Sequence, residues 1–294
     1  MAKVSRVSLP GLFAGLAAAS IWGGMYVVSK AVLDTIPPFT LVTLRLVLGF
    51  CALGAFVAGR GLARPSARQF WQVFGVGFVG YGVSLGFQFV GTKLSTAANG
   101  SLVTSVTPAF VFLFAGWLLG EKAGRRQWGA LLVSTLGVLA VIDPRSAEVQ
   151  PRLFWGNLSL LAAALTWALY SVLVRKTARE MDILMLSWIA FLGGLPLTIP
   201  LAGWELTTIG MGAWTPGLVA GVLFLGLIST ALAMYLWNLA FKLLDAGLAS
   251  LTFFAQPVVG SILGSIFLGE AITPLFLLGG LLIGVGLLLA SRRG

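Results

Sequence analysis

Two aromatic pairs at helical spacing are the residues of this chain best suited to grip a small molecule. Trp22 and Tyr26 lie four residues apart and so share one helix face, and Trp167 with Tyr170 or Ser171 occupies the matching place later on. Tyr81, Phe87 and Gln88 in a third apolar stretch are expected to face Tyr235, Trp237 and Asn238 in an eighth. Such groups suit an amphiphilic ligand: rings stack on an apolar body or attract an ammonium, and amides orient a carboxylate. The competing reading is packing, because most aromatics in apolar segments fill gaps or sit at lipid headgroups. Trp71, Trp128, Trp155, Trp204 and Trp214, near predicted segment ends, fit that second reading.

Polar side chains gather around two prolines. Pro108 and Pro257 sit in the middle of apolar runs; each lacks an N–H, which frees the carbonyls of Thr104 and Phe253 and lets the helices kink. Around the first stand Asn99, Ser101, Thr104, Ser105 and Thr107, and around the second Ser250, Thr252 and Gln256. Free carbonyls at membrane depth require protein or a water-filled cavity beside them. These side chains either line such a cavity or bond back to their own helices as structural glue.

Charge is scarce. Arg45 is the sole charge well inside a predicted span. It either holds a substrate carboxylate or acts at an outer gate, or it snorkels outward or caps loose carbonyls. Glu121 and Glu270 close corresponding segments, where they either carry protons or bond to the start of a following helix. There is no histidine and a single cysteine, Cys51, in an apolar run that suggests a small buried hydrophobe. A zinc site, a haem ligand of the usual kind, a Cys–His nucleophile and an internal disulfide are thereby set aside, so no metal, no cofactor and no enzyme activity is expected.

The elements that must position these residues come in duplicate. Residues 93–121 lie over 242–270 at a constant offset of 149 with nine of 29 positions identical, and Leu16–Trp22 matches Leu161–Trp167 at an offset of 145. The chain is 58% hydrophobic and only 10% charged, against about 25% charged for a soluble domain. Ten apolar segments follow, roughly 10–32, 39–59, 69–91, 95–119, 125–142, 153–174, 183–203, 214–241, 246–268 and 273–291. The fifth is short, and the eighth is long enough to be tilted or broken near Ser229–Thr230.

Fourteen basic residues fall on one side of these spans and four on the other, which puts both termini in the cytoplasm. Five spans per half is an odd number, so the second half (146–294) is inverted relative to the first (1–145). The expected fold is all-α and integral to the membrane: ten transmembrane helices as two inverted five-helix repeats around a central cavity, with segments five and ten peripheral. The net charge of +10 is spread between apolar segments rather than along a stripe, so nucleic acid is not an expected partner. That is the architecture of a transporter with a small-molecule substrate, in contact with membrane lipid and functional as a monomer.

The Ala-Ala-Ala-x-x-Trp openings at 17–22 and 162–167, Pro38 followed by Arg45, and the sets Pro108/Gly120/Glu121 and Pro257/Gly269/Glu270 together resemble the drug/metabolite transporter superfamily, in particular its EamA-type exporters. The likeness covers essentially the whole chain. It implies export of small metabolites from the bacterial cytoplasm across the inner membrane by alternating access, and within the family the chain looks like the aromatic amino acid exporters. A carrier of nucleotide-sugars or of lipophilic cations fits the same fold; a passive channel and an intramembrane enzyme are more distant rivals. The cations would call for a buried carboxylate, and the sequence shows none.

Overall fold

Inside hydrocarbon a backbone can satisfy its own N–H and C=O groups only by forming helices or a closed barrel, and apolar runs of this length choose the helix. The computed structural model describes residues 8–120, 125–142, 150–178 and 181–291, and no strand occurs among them. Ten helical segments appear: α1 Leu9–Leu33, α2 Pro38–Gly59, α3 Ala67–Leu94, α4 Ala97–Leu119, α5 Arg125–Ile142, α6 Pro151–Thr177, α7 Ile183–Thr208, α8 Pro216–Leu243, α9 Ala246–Leu268 and α10 Pro274–Ser291. Eight of them are long and apolar enough to cross a membrane, and α5 and α10 are 18 residues each.

The repeat is visible in the punctuation. Ser66 and Thr215, 149 residues apart, both cap the helix that follows them through their hydroxyls, which suits an N-cap. Gly120 and Gly269, also 149 apart, end α4 and α9 in the left-handed region at φ 71° and 64°, where a side chain would be strained. The helices that carry Pro108 and Pro257 are both interrupted shortly before the proline, where its missing N–H leaves a gap in the ladder, whereas α7 continues through Pro196 and Pro200. α4 loses its regular ladder at Ser105–Val106, and α9 passes through a tight 3₁₀ turn at Thr252–Phe254. The freed carbonyl of Thr104 is recaptured by the Thr107 hydroxyl at 2.6 Å.

The halves are antiparallel. Lys30 at the end of α1 and Arg152 at the start of α6 both donate to the carbonyl of Lys93, so α1 ends where its counterpart begins. Glu205 near the end of α7 accepts from the backbone N–H groups of Phe39 and Thr40 (3.0 and 2.7 Å) at the start of α2, which sets that pair antiparallel too. Contacts across the seam come in matched sets: α1 with α9 and α4 with α6, α1 with α8 and α3 with α6, α2 with α8 and α3 with α7. α2 also packs against α7, its own counterpart, as expected for the two helices nearest a two-fold axis. α5 and α10 pack chiefly on each other, at Gly137 against the carbonyl of Gly279.

Two details differ from the sequence reading. α8 does not break near Ser229–Thr230; it widens into a π-helical stretch over Phe224–Leu232, and α3 does the same over Phe78–Ser84, at the equivalent depth. The extra residue per turn lets Thr230 bond the carbonyl five residues back, at Leu225, while keeping the helix continuous. Cys51 is exposed on the outer face of α2 rather than buried, since the inward face of that helix is taken up by Leu46, Gly49 and Leu53. Glu121 lies outside the described residues.

Candidate functional site

The seam between the halves closes on a pair of tryptophans that the repeat itself generates. Trp22 of α1 and Trp167 of α6, equivalent at offset 145, meet edge to face with ring centroids 5.5 Å apart. Trp22 also contacts Trp237 and Phe253 at 5.3 and 5.8 Å, and Trp167 stacks on Tyr170 at 4.6 Å. Each such contact adds about 0.5–1.5 kcal/mol beyond area burial, so the cluster rigidifies the seam. Beside it lies a cavity lined by Trp22, Tyr26, Arg45, Gln88, Thr104, Trp167 and Gln256, with Met25, Ser84, Leu85, Thr107, Ala163, Ala164, Met234 and Phe253. Its free volume is about 20 Å³, room for a single water molecule, so this conformation is closed around the centre.

The lining carries the repeat's arithmetic. Thr104 is matched by Phe253, Thr107 by Gln256 and Leu85 by Met234, each at offset 149. The two halves fill equivalent places with different chemistry, which makes one wall polar and the other aromatic and sulfur-rich. On the polar wall the hydroxyls run in one direction: Gln88 Nε2 donates to Tyr26 at 2.7 Å, Tyr26 bonds Thr104 at 2.8 Å, and Thr104 donates to the carbonyl of Gly100 at 2.7 Å. Gln256 Nε2 joins from α9, donating to Thr104 Oγ1 at 2.7 Å and to the carbonyl of Ser101 at 3.2 Å. The equivalent link in the other half is Trp237 Nε1 donating to Ser171 Oγ at 3.1 Å.

Behind Trp167 a second network joins Tyr81, Tyr170, Asn238 and Ser187. Tyr81 and Tyr170 bond through their hydroxyls at 2.5 Å, Tyr170 donates to Asn238 Oδ1 at 2.9 Å, and Asn238 Nδ2 donates to Ser187 at 2.9 Å. Gly80 makes room for the Tyr170 ring, which a Cβ would meet at 2.3 Å. Along both α3 and α6 this network separates the cavity from a cleft of about 840 Å³ bordered by Arg68, Trp71, Val76, Leu173, Lys176 and Met181.

Arg45 is fully buried. Its Nε donates to Thr230 Oγ1 at 2.6 Å and one Nη to Ser229 Oγ at 3.2 Å, and its Cζ sits 4.7 Å from the Phe89 ring centroid. The π stretch of α8 therefore supplies the acceptors for the buried guanidinium. A central arginine costs about 2.5–3.5 kcal/mol on insertion scales, and these neutral partners offset only part of it. Glu270, Lys30 and Arg175 instead close helix ends. Glu270 accepts from the backbone N–H groups of Ala97 and Ala98 at 2.6 and 2.7 Å, capping α4. Lys30 donates to the carbonyls of Thr92, Lys93 and Ser95, and its counterpart Arg175 to those of Phe241 and Leu244 on the opposite face.

Of the other residues singled out from the sequence, Ser101 presents its carbonyl to Gln256 and packs its side chain at Gly260. Thr252 bonds Ala249 and wedges against Gly15, away from the cavity. Asn99 sits in the first turn of α4 near Ser95 and Asn157. Tyr235 does not face Tyr81 or Gln88. Tyr235 borders an outer groove with Leu53, Phe56 and Arg60, while Trp237 and Asn238 turn inward, because residues two apart on a regular helix point to opposite sides. Phe87 is exposed on the far side of α3. Trp71, Trp128, Trp155, Trp204 and Trp214 are all exposed near helix ends. Thr107, named with the polar group around Pro108, does line the cavity; Met25, Ser84, Leu85 and Met234 carried no signal of their own, whereas Phe253 was reachable as the offset-149 partner of Thr104.

Against known proteins, the EamA-like transporter family matches the chain twice, over residues 9–142 and 154–292. An uncharacterized transporter of Archaeoglobus fulgidus is 27% identical over 278 residues, covering 93% of this chain and 94% of its own. The aromatic amino acid exporter YddG of Ancylobacter novellus is 26% identical over 262 residues, 85% of each chain. A probable amino-acid metabolite efflux pump of Salmonella typhimurium is 26% identical over 288 residues, covering 94% and 92%. A solved crystal structure superposes with a TM-score of 0.69 over 96% of both chains at 24% identity, a likeness of fold.

Proposed function

The chain belongs to the EamA-like transporter family, and from that premise we propose that it exports amino acids, aromatic and hydrophobic ones foremost, across the bacterial inner membrane by alternating access. The observation that carries this reading is the two-sided cavity on the seam: Tyr26, Gln88, Thr104 and Gln256 on one wall, Trp22, Trp167, Phe253 and Met234 on the other. A zwitterion with an apolar side chain needs both. The names of the Ancylobacter and Salmonella relatives, an aromatic amino acid exporter and a probable amino-acid metabolite efflux pump, lend the substrate class further support.

In the cycle we propose, substrate enters the cleft beside Arg68 and Lys176, which faces the cytoplasm. Separation of Tyr81 from Tyr170 then joins the cleft to the cavity, and α3 with α6 forms the inner gate. The mirror-image motion opens the opposite end, where Lys30 and Glu270 clasp the ends of α3 and α4. Pro108 and Pro257 serve as hinges because the helical ladder is already interrupted there. Rocking of packed halves about a fixed central site is the general behaviour of such inverted repeats. The protein works as a monomer, its seam lying within one chain.

Among the described residues no carboxylate lines the cavity, and both Glu205 and Glu270 are committed to helix N-termini. Proteoliposomes loaded with unlabelled L-phenylalanine should therefore accumulate labelled L-phenylalanine by counterflow, and the initial rate should change less than twofold when the proton gradient is collapsed. Failure of any amino acid in a full panel to drive counterflow refutes the substrate class, and complete loss of counterflow on collapse refutes gradient independence.

A further inference from the structure

Arg45 and Trp167 line the cavity, and each carries a buried hydrogen-bond donor without a partner among the described residues. Several buried side-chain polar atoms lack a partner among the described residues, and of these only Arg45 Nη1 and Trp167 Nε1 belong to residues lining the cavity. Both are donors. The contrast with Trp22 is informative, because its equivalent indole N–H is satisfied by the carbonyl of Ser229 at 3.0 Å. One half of the pseudosymmetric pair is structurally engaged and the other is left open.

The guanidinium also lacks a counter-charge. Its acceptors, Thr230 and Ser229, are neutral, and among the described residues no carboxylate pairs with it. Glu205 of α7, which reaches the start of the helix that carries Arg45, has its oxygens occupied by Phe39 and Thr40. The single water for which the cavity has room can accept a hydrogen bond but cannot neutralise the charge. A buried cation with one arm fixed and the other open is complementary to an acceptor-only, negatively charged group, and a carboxylate fits a guanidinium in shape as well as charge.

We infer that Arg45 Nη1 and Trp167 Nε1 form the carboxylate subsite of the cavity, so that the protein selects substrates bearing a free carboxylate and rejects their amines and esters. This rests on the reading of the cavity as the transport site and deepens it: the substrate is defined by its anionic end first and its apolar body second. The same positive charge opposes entry of a lipophilic cation, which would meet an unpaired like charge in a low-dielectric space.

The test is a competition panel on wild-type protein, followed by variants. Four probes share one aromatic body: L-phenylalanine, phenylpropionate (carboxylate without amine), L-phenylalanine methyl ester and phenethylamine (amine without carboxylate). Each is scored for thermal stabilisation of the purified protein and, in proteoliposomes, for competition with labelled L-phenylalanine. The expected result is that the two carboxylates act at concentrations at least about 30-fold lower than the ester and the amine. In Arg45→Gln that ratio should fall to about threefold or less, and in Arg45→Lys, which keeps the charge but loses the fork, it should be intermediate. Trp167→Phe should lower it by a few-fold while retaining the ring.

Equal potency of ester and acid in the wild type overturns the inference whatever the variants do, and so does failure of every carboxylate to stabilise the protein. If phenylalanine is carried but the ester competes equally, amino acid export stands and the subsite falls. If phenylpropionate stabilises the protein while no amino acid is carried, the subsite stands and amino acid export falls.

Discussion

Gln256→Leu is expected to cut the rate of L-phenylalanine counterflow about tenfold to a hundredfold while folded protein is still recovered from the membrane. The side chain reaches across from α9 to α4, where its Nε2 donates to Thr104 Oγ1 and to the carbonyl of Ser101. Thr104 in turn fixes Tyr26, which is held from the other side by Gln88. Leucine of similar size removes both donations and with them the strut that α9 gives the polar wall. A lost buried hydrogen-bonded donor costs about 1–3 kcal/mol, which spans that range of rates. Trp167→Ala should act in the same direction, since it removes a cavity wall and the Tyr170 stack at once. Folded variants that transport at the wild-type rate would take both residues out of the site.

The second large effect is on folding, and it has a built-in control. Gly77 of α3 crosses α7 so closely that an added Cβ would lie 2.0 Å from the carbonyl oxygen of Ala190, and Gly193 of α7 would meet the carbonyl of Phe74 at the same distance. Neither obstacle is a flexible side chain, so the helices themselves must part. Gly75, two residues earlier on α3, is exposed and a Cβ there meets nothing within 4 Å. Gly75→Ala should therefore raise thermal stability slightly, by the 0.5–1 kcal/mol or so that alanine gains over glycine in a helix. Gly77→Ala, the same methyl on the same helix, should lower it by about 3 kcal/mol or more and sharply reduce recovery of folded protein. Melting curves of the two variants in detergent check this. Equal stability would mean that α3 and α7 do not cross at these glycines.

How much of this was legible beforehand depends on what kind of signal each feature leaves. The ten helical segments and their antiparallel halves were readable because lipid permits so few backbone solutions and because the repeat shows its own offset. The interruptions at Pro108 and Pro257 followed from a missing N–H. The π stretches were not readable: nothing in FVGYGVS or FLGLISTAL distinguishes a π turn from an ordinary helix, and the choice is made by packing against Arg45 and Tyr170. Tyr235 is a different case: two positions from Trp237 on a regular helix, it points to the outer groove while Trp237 and Asn238 turn inward. Glu205 was hidden for a related reason, since its role depends on a helix start 165 residues away in sequence. The cavity itself was half legible. Polar and aromatic picks found Trp22, Tyr26, Gln88, Thr104, Thr107, Trp167 and Gln256, whereas carrying Thr104 through the offset of 149 would have added Phe253.

The pocket exists only if the two halves run in opposite directions through the bilayer, so the decisive measurement is of sidedness. Ala63 and Ala213 are exposed in corresponding loops, between α2 and α3 and between α7 and α8. In a chain with Cys51→Ala, single cysteines at these two positions can be probed in whole cells with a membrane-impermeant maleimide. The cysteine at 213 should react in intact cells and the one at 63 only after permeabilisation. Reaction of both from the same side would contradict the inverted halves, and the seam between them would cease to be a site.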